Sequence, residues 1–129
     1  MDLLLRKKRR LRRVVMGRID KPWGYEEILV QTSRYVLKKI FIKRGCRLSY
    51  QYHNKKDETI FVLEGELILN LDDSYMTGRM GFCKRIRSKK KHRFIASMKG
   101  DCVLLECSTP ELDDVVRLHD DYGRDCGEW

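Results

Sequence analysis

The chain has 129 residues, 42% of them hydrophobic, and a formal net charge of +9. That is the length of one ordinary domain, with enough apolar content for a packed core. No run reaches the ~18 consecutive apolar residues of a membrane-spanning helix, so a helical membrane protein is excluded as a reading.

The charge is concentrated at one end. Residues 1–15, MDLLLRKKRRLRRVV, hold seven Lys/Arg and one Asp, so +6, which leaves +3 on the other 114 residues. Residues 1–16 therefore read as a basic N-terminal arm, disordered or helical, and residues 17–129 as the domain. A tail that binds phosphate or nucleic acid and an amphipathic membrane-surface segment are alternatives for the arm. A solvated extension is preferred, and nucleic acid is expected as a partner only through this arm. The arm lacks the order of a secretory signal, because its short apolar run (residues 3–5) precedes the charges.

Beyond the arm, Lys21-Pro22-Trp23-Gly24 is irregular and leads into a strand over 25–30. A β-rich run covers 34–43 and is punctuated by Gly45. Alternation predicts a strand over 48–53. Two apolar runs, 59–64 and 66–71, flank Gly65 and read as a hairpin. Asp72-Asp73-Ser74 is a turn, and 76–81 is a weak stretch interrupted by glycine. Further strands are predicted over 82–86, 93–96, 101–107 and 114–119. Eight to ten short strands without a long helical period indicate an all-β, closed antiparallel barrel or jelly roll.

Five cysteines, an odd number and without a CxxC pair, indicate neither a disulfide framework nor a thiolate zinc site. Cys102 and Cys107 are expected to be buried small hydrophobes. A reducing, cytoplasmic location follows as the default.

The chemistry is concentrated between Gly45 and Gly65, GCRLSYQYHNKKDETIFVLEG. Residues two apart on a strand share a face, so Gln51 and His53 project together. Glu58 can face them from the next strand, and His92 follows about one hairpin later. Singly, each has a plain structural reading: a core histidine, a solvated glutamate. Together they offer two imidazoles, a carboxylate and an amide oxygen. That mixed set suits zinc, iron(II), manganese, cobalt or nickel, with coordination positions left open.

The pattern G-x5-Q-x-H-x4-E-x6-G resembles the first cupin motif, with Gln in the first ligand position. The longer run is similar to the cupin domain of type II mannose-6-phosphate isomerases. The likeness begins at Lys21-Pro22-Trp23-Gly24-Tyr25-Glu26 and returns at Lys91-His92-Arg93. It ends at Asp114-Val115-Val116-Arg117 and Asp120-Asp121-Tyr122-Gly123-Arg124. The resemblance implies a single cupin barrel, that is, a double-stranded β-helix. It also implies a divalent metal, zinc first, on Gln51, His53, Glu58 and His92, with Arg124 as a catalytic or substrate-binding residue. The sequence departs from the family in two places. Asn54-Lys55-Lys56 stands where the family has a His-rich run followed by Arg. Residues 86–92 contain no Pro-x-Gly turn.

The activity implied is the interconversion of mannose-6-phosphate and fructose-6-phosphate, in nucleotide-sugar or polysaccharide biosynthesis. Lys55 or Lys56 is a candidate for shuttling the proton, given a lowered pKa. Lys89, Lys90, Lys91 and Arg124 are candidates for holding the phosphate. The alternative is a metal-binding cupin that acts on or binds another sugar or small metabolite without isomerase activity. By analogy with cupins, a homodimer is expected.

Overall fold

The computed structural model describes residues 17–124; the basic arm and Cys126 lie outside the described residues. These fold as eleven strands: β1 Arg18–Lys21, β2 Gly24–Gln31, β3 Val36–Ile42, β4 Tyr50–Tyr52, β5 Glu58–Glu64, β6 Leu67–Leu71, β7 Ser74–Gly78, β8 Cys83–Ile86, β9 His92–Ala96, β10 Cys102–Ser108 and β11 Val116–His119. They form two antiparallel sheets, of order β1-β2-β3-β10-β5-β8 and β11-β4-β9-β6-β7. This is the all-β double-stranded β-helix that the sequence predicts. No helix among the described residues is long and apolar enough to cross a membrane.

Period-2 alternation sets which side chains enter the barrel. In β3, Val36, Lys38, Ile40 and Ile42 are buried while their neighbours are half-exposed. The same alternation buries Glu58, Ile60 and Val62 on β5, and His92, Phe94 and Ala96 on β9. On β10, Cys102, Leu104, Glu106 and Ser108 enter by the same rule. Read along each strand, the inner face begins apolar and turns polar at one end. Ile42, Val62, Ala96 and Cys102 belong to the apolar core, as do Ile40, Ile60, Phe94 and Leu104. The register sets Glu106 between Lys38 and Ile60, where the polar end meets the apolar layers. The barrel therefore has an apolar end that supplies the core and a polar end that is free for chemistry.

Three sequence expectations are corrected. The runs either side of Gly65 do not form a hairpin: β5 pairs with β10 and β8, whereas β6 pairs with β9 and β7. Both runs bury apolar residues, and a jelly roll satisfies them by sending consecutive strands to opposite sheets. The weak stretch around 76–81 contributes β7, joined to β6 through Asp72 and Asp73 at φ 48° and 65°. Two successive left-handed residues are what a tight two-residue hairpin needs. Cys107 is exposed, because it sits at odd parity to Cys102 on β10. The thiol of buried Cys102 is pushed up to about 11 by burial.

Gly65 makes the change of sheet possible. Its φ is +79°, and a Cβ there would lie 2.1 Å from the Asp101 carbonyl oxygen. Gly65→Ala should lower the unfolding free energy by about 2 kcal/mol, read from the denaturant midpoint. An unchanged midpoint would show that the corner tolerates a side chain.

Candidate metal centre

Three of the four expected ligands converge. His53, Glu58 and His92 each present a ligand atom, all within 4.8 Å of one another. Their exposures are 3%, 2% and 0%. His92 comes from β9 and His53 from just past β4, both in the five-stranded sheet; Glu58 opens β5 in the facing sheet. His92 Nε2 lies 3.1 Å from Glu58 Oε1, and His53 Nε2 lies 3.5 Å from Glu58 Oε2.

Each imidazole is held from behind. His53 Nδ1 donates to the Asp114 carbonyl, and His92 Nδ1 donates to the Lys90 carbonyl at 2.8 Å. With Nδ1–H given to a carbonyl, Nε2 is the atom of each ring turned toward Glu58 and the one left to bind an ion. The two rings are tilted at 49° with centroids 5.0 Å apart, so they converge instead of stacking. Neither Nε2 and neither Glu58 oxygen completes a hydrogen bond among the described residues. Four buried polar atoms converge here with no partner but one another and the Lys56 ammonium, and a cation would satisfy them. Ligands at about 2.1 Å from an ion stand ~3.0–3.4 Å apart at octahedral or tetrahedral angles. The separations from Glu58, 3.1 Å to His92 and 3.5 Å to His53, lie at or close to that spacing, and the donor chemistry suits a cation.

Burial works against the Glu58 charge, but the two imidazoles and Lys56 prevail and hold it well below the usual carboxylate range. His92 is raised: burial lowers it, and its contact with Glu58 outweighs that.

The remaining candidates are placed differently. Gln51 lies directly opposite His92 in the β4–β9 register, so it shares the inner face. Its amide oxygen accepts from the Ser49 hydroxyl at 2.9 Å. Lys56 is buried, with Nζ 3.1 Å from both Glu58 and Glu106. Desolvation opposes its charge, yet the two carboxylates raise its pKa overall. The lowered pKa that a lysine base needs is therefore reversed at Lys56. Lys55 is exposed, as are Lys89, Lys90 and Lys91. The Lys90 ammonium pairs with Asp72 at 3.3 Å. This lysine loop acts through its backbone: the Lys89 N–H donates to the His53 carbonyl at 2.6 Å, while the Lys90 carbonyl orients His92. Lys89 takes φ 67° and so supplies the left-handed turn without glycine. Arg124 makes a two-pronged contact with Asp120, at 3.0 and 2.9 Å. It lines a cavity of about 50 Å³ together with Gln51.

Sequence reasoning missed three contributors. The Asp114 carboxylate accepts the N–H groups of Asn54, Lys55 and Lys56 at 3.0, 2.7 and 2.9 Å, fixing the loop between His53 and Glu58. Glu106 is buried beside Lys56, and burial together with Glu58 raises its pKa. Lys38 stands 4.0 Å from Glu106 and 3.3 Å from Glu26, extending the row of charges. The signal for Lys38 and Glu106 was in the sequence, since both occupy inward parity between apolar residues.

The profile of the family described as "Mannose-6-phosphate isomerase C-terminal" matches residues 8–120. The alginate biosynthesis protein AlgA of Pseudomonas aeruginosa is 29% identical over 109 residues, covering 82% of this chain and 23% of that protein. A mannose-1-phosphate guanylyltransferase of Escherichia coli is 25% identical over 118 residues, again 82% of this chain and 23% of the other. The chain thus spans about a quarter of the length of the curated relatives it matches. Among solved structures, an RmlC-like cupin from Shewanella frigidimarina superposes with a TM-score of 0.66 at 18% identity, over 74% of this chain and 84% of that one. That likeness is one of fold.

Asp114→Ala should cost about 1.5–3 kcal/mol of stability through the three N–H groups it leaves unpaired. It should also weaken zinc binding about 10- to 100-fold, read by competition with a chelator. Unchanged zinc affinity would mean that the loop holds His53 and Glu58 without the Asp114 clamp.

Proposed function

The chain belongs to the mannose-6-phosphate isomerase C-terminal family, and on that premise we propose that it is a metal-dependent cupin that isomerises a six-carbon sugar phosphate, mannose-6-phosphate to fructose-6-phosphate. The observation that carries this reading is the buried His53, Glu58 and His92 set, whose ligand atoms converge within 4.8 Å. These three would hold a divalent cation, zinc first, with Gln51 beside them as a fourth ligand. Cobalt, manganese, nickel or iron(II) would satisfy the same donors. When bound, the ion supplies a Lewis acid for the negative charge that develops on the sugar oxygens.

The chain's own residues do the rest. Asp114 and the Lys90 carbonyl keep both imidazoles in the tautomer that presents Nε2. Lys56 holds Glu58 and Glu106 together as a fixed cation, and its field adds to the stabilisation of an anionic sugar. Lys55 is the candidate for the proton transfer between adjacent carbons. Arg124, held by Asp120, faces the substrate from the cavity shared with Gln51. The biological role proposed is supply of a sugar precursor for polysaccharide synthesis, which relatives named for alginate biosynthesis support. A homodimer is proposed as the assembly, from exposed sheet edges.

One observation favours a second reading. Lys56 is held charged by two carboxylates and does not serve as a base. A cupin that binds a sugar phosphate or another metabolite at the same ion, without isomerisation, accommodates that charge equally well.

A coupled assay separates the two. The protein loaded with zinc, cobalt, manganese, nickel or iron(II) should turn over mannose-6-phosphate, and His92→Ala should reduce kcat/KM at least about 100-fold. If none of the five metals gives turnover while sugar phosphates still raise the melting temperature, the isomerase reading is lost and the binding reading stands.

A further inference from the structure

We infer that Arg117 and Lys21, together with Arg124, form an anion subsite that takes the phosphate end of the substrate, two strands across from the metal ligands. This rests on the sugar-phosphate reading above and deepens it. The placement comes from strand register. Arg117 on β11 lies opposite Gln51 on β4, and Gln51 lies opposite His92 on β9. Directly opposed residues project from the same face, so Arg117, Gln51 and His92 form one row across the inner surface. Two strand spacings separate the ends of that row, about 10 Å. A six-carbon sugar phosphate whose reacting carbons sit at His92 has its phosphate displaced in the direction of Arg117.

The cavity at that end is lined by Lys21, Glu26, Gln51, Arg117 and Arg124, among others. Its charges do not cancel. Glu26 is matched by Lys38 at 3.3 Å, and Asp120 by Arg124 at 2.9 Å. Lys21 and Arg117 make no ion pair among the described residues, so two cations at this cavity have no carboxylate partner. Arg117 Nε is buried and finds no acceptor among the described residues. A buried guanidinium N–H without an acceptor is costly, and it is satisfied by an oxyanion. A phosphate monoester carries close to two negative charges at neutral pH and accepts two parallel bonds from an arginine fork. A carboxylate would neutralise only one of the two. The exposed lysines 89–91, by contrast, act on the site through backbone groups, so the phosphate contact is assigned to the other side of the barrel.

The test is calorimetric titration of the full chain with inorganic phosphate at low ionic strength, alongside Arg117→Met, Lys21→Met and Arg117→Lys. Wild type should bind phosphate. Arg117→Met and Lys21→Met should each weaken binding about tenfold or more, Arg117→Lys less, with the metal content per chain unchanged in all three. In the coupled assay the two methionine variants should raise KM for mannose-6-phosphate more than they lower kcat. Wild type that fails to bind phosphate, or binding that neither methionine variant weakens, overturns the subsite. Lys21 ends a short edge strand of the other sheet, so it decides the matter if Arg117→Met fails to fold. Phosphate binding that depends on Arg117, without turnover of any sugar phosphate, leaves the subsite standing and removes only the isomerase reading. Turnover with a KM indifferent to both substitutions does the reverse.

Discussion

Glu58 is a carboxylate with 2% of its surface exposed, deep in a barrel whose other inward residues on β5 are Ile60 and Val62. Burial alone would drive such a group to its neutral form. The surroundings instead keep it charged, with an imidazole on each side and an ammonium 3.1 Å away. That one requirement organises much of the polar end. Each histidine must present Nε2, so each Nδ1 needs an acceptor behind it, and two loops exist in their present shape to provide one. The loop from His53 to Glu58 is pinned by the Asp114 carboxylate. The loop before His92 turns through a left-handed Lys89 and closes on the His53 carbonyl. The two halves of the site therefore brace each other, and neither ligand can be moved alone.

Behind the ligands runs a row of buried charge: Glu58, Lys56, Glu106, Lys38 and Glu26, each within ion-pair range of the next. A buried ion pair is weak evidence for stability, because an apolar replacement of the same volume is often as stable. The row crosses four strands of the larger sheet at inward positions where the neighbouring layers carry Ile, Val and Leu. Its cost is borne by those layers, which pack the opposite end of the barrel. The physical division is clear: the apolar end holds the fold, and the polar end holds buried charge in which the His53, Glu58 and His92 ligand atoms converge within 4.8 Å. The row alternates in sign from Glu58 to Glu26, and Lys21 and Arg117 lie with Glu26 around the small cavity at its far end.

Much of this was legible in the chain. His53 and Glu58 could be read from their spacing, because strand parity and a short connection leave few places for them but facing one another. His92 followed from its place at the start of a later strand. Alternation gave the strands themselves, but not their partners. The runs flanking Gly65 look like a hairpin locally, and only the need to bury both in a two-layer barrel sends them to different sheets. The clamp by Asp114 could not be read, since its contacts with residues 54–56 span about 60 positions, and acidic residues before a weak strand carry no local signal. Residue type alone makes Lys56 a candidate base. Its buried carboxylate neighbours reverse that, and one of them, Glu106, is remote in sequence. Lys38 and Glu106 were visible in principle as charged residues at inward parity, a violation of pattern that marks function more often than error.

The account depends on one ion being held by two imidazoles and a carboxylate inside the barrel. X-ray absorption at the metal edge, on protein purified without added metal, tests this most directly. The expected spectrum has about one metal per chain, multiple scattering from two imidazoles, and nitrogen or oxygen neighbours at ~2.0–2.2 Å. Protein without metal that also fails to take up zinc, or a first shell with sulfur at ~2.3 Å, would contradict it.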